Sequence, residues 1–375
     1  MPLRIIVIAM ENSEAAKPFP HSFDQITVDW LNSVLRDGGV ITDDALESVE
    51  IQSTKAGFGA RGSYTRLRLN YSRQKPGVPQ SLFAKFSLGD QEMRARYAQM
   101  YKSEVNFYRE IAPLVGLRTP RCYFAGMDVD SGHSLLLLED LAGRAGDNLV
   151  GCSTGEAEKL FGRIAAFHAR WWESVQLSRW KWLPSYGEDY PAWMSYRLLK
   201  AWPIFRRKYD EMLSGWVVSA AERALRQIPE IFQTFAAGPT TFTHGDFALD
   251  NVRFDLPDAP LVLYDWQLVR RAPGARDISW FLVRSLPISQ RRADEDYLVR
   301  SYYEALVEAG IHDYSLENLH HHIMLGYLVA FLIIISAGAN ADFSSKRGRQ
   351  HITARIERNI AVLKDHDVWQ ALTLE

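Results

Sequence analysis

The chain has 375 residues, of which 47% are hydrophobic and 23% are charged, and its formal net charge is −2. This length predicts two lobes or domains, and the composition is typical of a globular protein with a large core. The balanced charge argues against a broad nucleic-acid surface, which would need a basic excess. Its two cysteines, Cys122 and Cys152, have no metal or redox spacing, which excludes a disulfide framework and a zinc site and fits a reducing compartment.

Two apolar segments could indicate secretion or membrane insertion. Residues 1–10 contain one basic residue and a six-residue apolar run, which is too short for a typical secretory signal, and whether Met1 or Met10 is the true start stays open. Residues 323–339 form a 17-residue apolar run that is borderline for a membrane helix. Too few basic residues follow it to mark a cytoplasmic side. We therefore predict a buried core helix and a cytoplasmic protein with no membrane partner.

The first predicted elements are a helix and a strand. Residues 27–35 have the spacing of a short amphipathic helix, and Thr27 is suited to cap it. Residues 47–54 alternate between apolar and polar side chains, which predicts a half-buried strand.

A glycine-rich turn follows this strand. Gly57, Gly59 and Gly62 form a G-x-G-x-x-G pattern, and an alternating strand over residues 64–71 comes next. A Rossmann motif needs a helix at that place, so the pattern favours a hairpin whose backbone N–H groups approach nucleotide phosphates. A flexible hairpin without a ligand is the alternative.

A lysine and a glutamate are predicted to pair inside the same lobe. Lys85 lies in the middle of a short apolar strand, and Glu104 lies on the apolar and aromatic stripe of a helix over residues 91–112, which Pro113 should end. The other members of that stripe are Tyr97, Tyr101, Tyr108 and Ile111. Because an inward glutamate needs a cationic partner, we expect an ion pair with Lys85, as kinases use to hold the α- and β-phosphates.

The predicted lobe boundary follows a buried strand. Residues 120–126 and 134–141 read as a strand pair, and the run of leucines before Glu139 and Leu141 suggests a hinge whose backbone hydrogen-bonds adenine. Beyond it the pattern becomes helical. We therefore predict an N-lobe over residues 1–141 and a C-lobe over residues 142–375.

The C-lobe begins with helical patterns rich in aromatic residues. His168 lies beside the apolar stripe of a helix over residues 154–172 and is predicted to be a core histidine. Seven of the eleven tryptophans lie at about 171–216, where three prolines should divide the chain into short helices or turns. This insert has either an aromatic core, a substrate-recognition role, or both. Metal binding by the consecutive histidines 320–322 is not expected, because neighbouring helical residues do not share a face.

The strongest chemical signal lies between two short apolar runs at residues 241–266. The turn reads His244-Gly245-Asp246, Asn251 comes five residues after the aspartate, and Asp265 ends a short hairpin. Phosphoryl transfer needs this layout, in which one carboxylate orients the attacking hydroxyl while an amide and a second carboxylate hold Mg²⁺. Asp277 lies at a helix start and could be a simple N-cap, and the helices after it show no further chemistry.

With these residues together, the chain resembles the aminoglycoside phosphotransferase and choline kinase-type branch of the protein kinase-like fold, and within it the ecdysteroid kinase-like group. Residues 244–251 match the family pattern H-G-D-x-x-x-x-N, and Asp265-Trp266 stands where protein kinases carry Asp-Phe-Gly. The resemblance implies an α+β bilobal fold with a small β-rich N-lobe and a larger helical C-lobe.

The resemblance also implies roles for individual residues. Asp246 would be the catalytic base or hydroxyl orienter, Asn251 and Asp265 the Mg²⁺ ligands, and Lys85 the phosphate-binding residue that Glu104 positions. It implies a hinge near residues 139–141 and makes Asp277 a support of the catalytic loop. The cofactors would be ATP, with GTP left open, and Mg²⁺.

The acceptor is predicted from charge and composition. Protein kinases carry a lysine where this chain has Ala248, which argues against a protein substrate. Residues 170–216 contain five acids against eight bases and many aromatic residues, so we expect a neutral or anionic small hydroxylated acceptor with an apolar body. Asp294, Glu295 and Asp296 would weaken this reading if they faced the acceptor. A catalytically silent pseudokinase that binds ligands is the alternative function.

Overall fold

The computed structural model describes residues 18–42, 46–52, 62–73, 76–187, 189–341 and 345–372. The question of Met1 or Met10 as the start, and the predicted phosphate loop at Gly57 and Gly59, lie outside the described residues. By contacts the chain divides into two compact units. The first comprises residues up to Arg144 together with Arg253–Leu268, and the second comprises Ala145–Val252 and the residues from Val269 onward. The predicted lobe limits at residues 141 and 142 stay a prediction.

The first unit is built on a five-stranded antiparallel sheet. Its elements are α1 (Val28–Asp37), β1 (Leu46–Ile51), β2 (Gly62–Tyr71), β3 (Ser81–Ser87), α2 (Gln91–Asn106), β4 (Cys122–Met127) and β5 (Ser134–Glu139). The strand order in the sheet is β1-β2-β3-β5-β4. Thr27 caps α1 as expected, because its side chain accepts a hydrogen bond from the Trp30 N–H. Leu31 and Leu35 of α1 pack with alternate residues of the central strands to form a core on one face of the sheet.

Helix α2 was predicted to extend to residue 112 and to end at Pro113, but it ends at Asn106. It passes into a π-helical turn, Phe107–Ile111, and then into a 3-10 turn, Ala112–Leu114, in which Pro113 lies near the start. Proline fits there because the first residues of a helical turn do not need to donate an intrahelical hydrogen bond. The extra turn keeps Tyr108 and Ile111 buried.

The second unit is helical. Its longer elements are α3 (Thr154–Arg170), α4 (Asp189–Lys208), α5 (Gly215–Arg226), α6 (Ile228–Ala236), α7 (Ala275–Ser285), α8 (Ile288–Glu308), α9 (Leu316–Ala339) and α10 (Lys346–Asp365). The strands β7 (Thr240–Thr243) and β10 (Arg270–Pro273) pair in it as an antiparallel ribbon. The remaining short strands of the chain are β6 (Arg144–Ala145), β8 (Val252–Phe254) and β9 (Leu261–Leu263).

The aromatic insert is more regular than predicted. Pro191 and Pro203 were expected to divide it, but both lie within the single 20-residue helix α4. Pro191 occupies the first turn, where its missing N–H is tolerated, and Pro203 lies inside the helix at the cost of one backbone hydrogen bond. The packing of α4 against α6 and α9 outweighs that loss.

Helix α9 is the core helix that the apolar run predicted. Among the described residues it is the one helix that is long and apolar enough to cross a membrane, and 78% of its most apolar 18-residue window is buried inside the protein. Helices α4, α7 and α10 pack around it. Its apolar composition is therefore explained by its position in the core of the second unit.

Candidate active site

In the first unit, Lys85 lies between two carboxylates. Its Nζ is 2.8 Å from a carboxylate oxygen of Glu104 and 2.7 Å from Oδ1 of Asp265. The Lys85 side chain is 17% exposed and that of Glu104 only 3%. The ion pair predicted from the helix stripe is therefore present. Asp265, which is 180 positions from Lys85 in the chain, also pairs with that lysine. We call these three side chains the lysine cluster.

The backbone after β9 places Asp265 in the lysine cluster. Asp265 has a φ of 66°, in the left-handed region that few residues other than glycine adopt. The next residue, Trp266, is fully buried and stacks on Phe107 with ring centroids 4.0 Å apart. Gln267 donates a hydrogen bond to Oδ2 of Asp265 at 3.1 Å. The stacked Trp266 thus follows directly on the turn from which the Asp265 carboxylate reaches Lys85.

Burial and charge shift the pKa values in the lysine cluster. Burial lowers the pKa of Lys85, but the charges of Asp265 and Glu104 outweigh it and raise that pKa above its ordinary value. Burial raises the pKa of Glu104 to about 7, because the attraction of Lys85 offsets only part of the desolvation and Asp265 adds repulsion. With two acids and one base, the cluster carries more negative than positive charge when all three groups are ionised.

The structure also locates the remaining residues predicted to contact nucleotide. Gly62 begins β2, and a Cβ at that position would lie 2.8 Å from the Phe86 carbonyl oxygen, so close strand pairing already requires this glycine.

The two predicted hinge residues lie at and after the end of β5. The Glu139 carboxylate accepts two hydrogen bonds from Arg118, at 2.7 and 2.9 Å, and the backbone N–H of Glu139 donates to the Arg121 carbonyl oxygen. Leu141 follows β5 and is half-buried. The nucleotide contacts assigned to these residues stay predictions.

In the second unit, the predicted catalytic loop is held by Asp277. Its carboxylate accepts hydrogen bonds from the backbone N–H groups of His244, at 2.7 Å, and Gly245, at 2.9 Å. Gly245 has a φ of 78°, which favours glycine at this turn. Asp277 lies inside α7, whose N-cap residue is Gly274, so the interpretation of Asp277 as a simple N-cap is wrong. Its position supports the loop, as the resemblance implied.

His168 completes the support of this loop. It is fully buried, and its ring nitrogens lie 2.8 Å from the Tyr302 hydroxyl and 3.2 Å from the Asp277 carboxylate. It is thus the core histidine that the sequence predicted. Burial raises the pKa of Asp277, but the hydrogen bond from His168 and the charges of His168, His244 and Arg276 outweigh it, so the pKa lies below the ordinary range.

The Asp246 carboxylate is buried and faces cationic partners. Its Oδ1 accepts a hydrogen bond from the Trp280 indole at 2.9 Å and forms an ion pair with Arg284. Burial raises the pKa of Asp246, but Arg284, the Trp280 hydrogen bond and the charges of His244 and Arg355 together hold it below its usual range. Asp246 is therefore ionised at neutral pH and is better suited to accept a hydrogen bond than to take a proton in the ground state.

Asn251 is oriented by the same loop. Its Nδ2 donates to the Asp246 carbonyl oxygen at 2.8 Å and to the Asp246 carboxylate at 3.2 Å. With the nitrogen committed to these two acceptors, the amide oxygen is the atom that Asn251 can offer to a cation. A 3-10 turn, Leu249–Asn251, sets this orientation.

The sequence analysis did not identify Trp280 and Arg284, which lie on the same helix as Asp277 and contact the Asp246 carboxylate. Asp277, Trp280 and Arg284 are spaced by three and four residues, so they lie on one face of α7. That spacing predicts that the three side chains share a face of the helix, but it does not predict which residues Trp280 and Arg284 contact.

Comparisons with known proteins come from sequence and from structure. A model of the phosphotransferase enzyme family matches residues 68–314. A candidate aminoglycoside phosphotransferase from Ralstonia eutropha JMP134 is 14% identical, with a TM-score of 0.54 over 92% of this chain and 98% of its own. Choline kinase from Cryptosporidium parvum Iowa II is 8% identical, with the same TM-score over 90% of this chain and 97% of its own. A search of curated proteins found no match.

These comparisons establish the fold class. The two structures show a kinase-like α+β architecture, with a β-sheet in the N-terminal part and a larger helical C-terminal part. At such low identity they establish the fold alone.

Proposed function

This chain belongs to the phosphotransferase enzyme family, and we propose that it transfers the γ-phosphoryl group of Mg·ATP to a hydroxyl of a small molecule. Family and fold support small-molecule phosphoryl transfer in general. The use of ATP and Mg²⁺, the acceptor and the residue roles are the finer parts of the proposal. Its closeness to the ecdysteroid kinase-like group stays a prediction.

The observation that carries this proposal is the lysine cluster. A largely buried lysine between two carboxylates is costly to maintain, because each charge must be removed from water. A cluster that served stability alone would be replaced by apolar residues at little cost. Nucleotide binding gives the same three groups a use, since Lys85 can contact phosphate oxygens while Glu104 holds its ammonium in place.

We propose Asn251 and Asp265 as the Mg²⁺ ligands. The donor set fits the ion, because Mg²⁺ prefers carboxylate and amide oxygens and takes few protein ligands. The Asn251 nitrogen donates to Asp246, which leaves the amide oxygen for a cation, and the lysine cluster contains two carboxylates and one ammonium group. When bound, Mg²⁺ would neutralise charge that develops on the transferred phosphoryl group.

We also propose a set of nucleotide contacts in the first unit, which comprises Gly57, Gly59, Gly62, Glu139 and Leu141.

Asp246 is proposed to orient the acceptor hydroxyl. An ionised carboxylate can accept the hydroxyl hydrogen bond and direct the oxygen lone pair, and phosphoryl transfer depends mainly on such positioning. Asp277 keeps the loop backbone in place, and Trp280 keeps one carboxylate oxygen in place. Proton transfer to Asp246 would accompany or follow bond formation, since its low pKa makes it a weak base beforehand.

The pseudokinase alternative is less favoured. A silent binding module is free to lose the catalytic carboxylate, the metal ligands or the lysine, whereas Lys85, Asp246, Asn251 and Asp265 are all retained. We further propose that the protein acts in the cytoplasm on a small hydroxylated substrate, without nucleic-acid or membrane partners.

Incubation with Mg·ATP and a panel of hydroxylated compounds tests the proposal. Acceptor-dependent ADP release and a new phosphate-ester signal by phosphorus NMR are expected from the wild-type protein and not from Asp246→Asn. If the protein binds nucleotide but phosphorylates no member of a broad panel, the result would favour the pseudokinase alternative. If it does not bind Mg·ATP at all, the nucleotide assignment is wrong.

A further inference from the structure

We propose that the acceptor is an anionic hydroxy compound and that Arg284 binds its carboxylate or phosphate group. This inference rests on the proposed phosphoryl transfer and narrows its acceptor class. It assigns Arg284 as a residue that determines specificity in the second unit.

The surroundings of Trp280 are the first evidence. Three guanidinium groups lie around its indole ring, those of Arg276, Arg284 and Arg355, at 4.4, 5.6 and 5.6 Å from the ring centroid. The indole N–H itself is hydrogen-bonded to the Asp246 carboxylate. A catalytic carboxylate is thus set among three arginines, a surrounding that attracts anions and repels cations.

The hydrogen bonds of these arginines indicate which one is suited to a ligand. Arg276 is buried, and it donates to the Gly245 carbonyl oxygen at 3.0 Å and to the Tyr186 hydroxyl at 3.1 Å, so it has a structural role in the loop. The Arg284 side chain is 18% exposed and is paired with Asp246 through Nη1. Its Nε has no hydrogen-bond partner among the described residues but is buried, so a ligand would meet the exposed part of the guanidinium.

The pairing of Arg284 with Asp246 conflicts with the proposed role of Asp246. While Asp246 is paired with a guanidinium, its Oδ1 is occupied and its capacity to orient a hydroxyl is reduced. An acceptor that brings its own anion offers Arg284 a replacement partner, and planar guanidinium groups bind carboxylate and phosphate in a bidentate manner. A neutral or cationic acceptor would either leave the pair intact or leave a largely buried arginine without a counter-ion, which is costly.

Two of the three acidic side chains at residues 294–296, which could have favoured a cationic acceptor, are engaged with other residues. The buried Glu295 pairs with Arg291 and accepts a hydrogen bond from Tyr327. Asp294 accepts a hydrogen bond from Thr154 at 2.8 Å. Two of the three neighbouring acids that weakened the charge argument thus have structural partners, and the third, Asp296, is exposed.

Aromatic residues next to Arg276 suit an apolar part of the acceptor. Tyr186 and Tyr190 pack edge to face, and Tyr190 contacts Trp193, which is 48% exposed. The Arg270 guanidinium lies 4.5 and 4.9 Å from the Tyr186 and Tyr190 ring centroids, so Trp193 is the ring of these three that an apolar body could contact. Aromatic rings provide large apolar area at small entropic cost.

The experiment compares acceptors that differ in one charge. Mandelate and its methyl ester share a hydroxyl and an apolar body, while glycerol 3-phosphate and glycerol form a second pair that separates phosphate from carboxylate recognition. Each compound is assayed with Mg·ATP as acceptor, and its binding to the nucleotide-free protein is measured by saturation-transfer NMR. The variants are Arg284→Gln and Arg284→Lys, and the matched control is Arg163→Gln, which removes an exposed arginine from α3.

For the wild-type protein and Arg163→Gln, we expect kcat/KM for the anion of one pair to exceed that of its neutral partner roughly 10- to 100-fold, the usual worth of a charge-assisted contact. Arg284→Gln should remove this preference, and Arg284→Lys should restore part of it. Equal use of anion and ester by the wild-type protein, or an unchanged ratio in Arg284→Gln, would overturn the proposal.

The binding measurement separates this proposal from the phosphotransferase assignment. Anion binding that depends on Arg284, without phosphorylation of any acceptor, would support the anion site and contradict the proposed activity. Phosphorylation of neutral alcohols without preference for anions would support the proposed activity and contradict the anion site.

Discussion

The lysine cluster of the first unit and the Asp246 site of the second unit are both small groups of buried charges, yet their balance is opposite. In the lysine cluster two carboxylates surround one ammonium, and in the Asp246 site one carboxylate lies among arginines. Burial alone would raise the pKa of Glu104 and of Asp246 alike. The neighbours decide the outcome, since the pKa of Glu104 rises to about 7 and that of Asp246 falls.

The opposite balance of charges indicates which kind of ion each site can accommodate. An excess of carboxylates is relieved by a cation, and we relate it to the proposed Mg²⁺ site. An excess of guanidinium groups is relieved by an anion, and we relate it to the proposed acceptor. Substitutions that change either balance should therefore change activity or stability.

The largest effect is expected from Asp246→Asn. The change removes the only carboxylate known to face Trp280 and Arg284 among the described residues, so kcat should fall about 10²- to 10⁴-fold, the usual worth of a positioned acid or base. Nucleotide affinity, measured by calorimetry, should change little. An unchanged kcat would remove Asp246 from the mechanism.

Glu104→Ala tests the lysine cluster. Removing one partner of a buried ion pair typically costs about 3–5 kcal/mol, but Lys85 retains Asp265, so we expect a loss of about 2–3 kcal/mol in the free energy of unfolding. Urea denaturation measures it. Glu92→Ala, an exposed change in the first turn of the same helix, is the control and should have a far smaller effect. A loss equal to that of the control would mean that the pair contributes nothing to stability.

The opposite pKa shifts predict a pH dependence. The folded pKa of Glu104 is raised above its unfolded value, so its contribution to stability is complete below about pH 4.5 and is lost as the pH rises through about 7. We expect the free energy of unfolding to fall in that window by on the order of 1–3 kcal/mol from this group. Glu104→Gln, which cannot ionise, should flatten this part of the profile. A profile that Glu104→Gln leaves unchanged would contradict the assignment.

The smallest effect is expected from Trp280→Phe. Phenylalanine keeps most of the apolar packing but cannot donate to Asp246, which loses one charge-assisted hydrogen bond of about 1.5–3 kcal/mol. Because Arg284 remains, kcat should fall about tenfold, and the acidic limb of the pH–rate profile should move to higher pH. A shift of that limb to lower pH would show that the hydrogen bond does not favour the ionised carboxylate.

Much of the site was predictable because its residues obey local rules. Glu104 was recognisable as an acid on an apolar helix stripe, and Asp246 and Asn251 by their spacing after a strand. His168 was identified as a core histidine from its place beside an apolar stripe. The pairing of Lys85 with Glu104 followed because a buried acid needs a base within the same unit.

From the sequence, the family and the α+β class could be inferred through the resemblance of its motifs, and the buried helix α9 and the ion pair of Lys85 through periodicity and the cost of burying charge. The continuation of α4 through Pro203, the approach of Asp265 to Lys85 and the pairing of Arg284 with Asp246 are visible only in the folded protein. Helix α4 depends on packing against distant helices, and the two ion pairs join residues 180 and 38 positions apart. Such contacts depend on how helices and strands pack, which no local pattern in the sequence specifies.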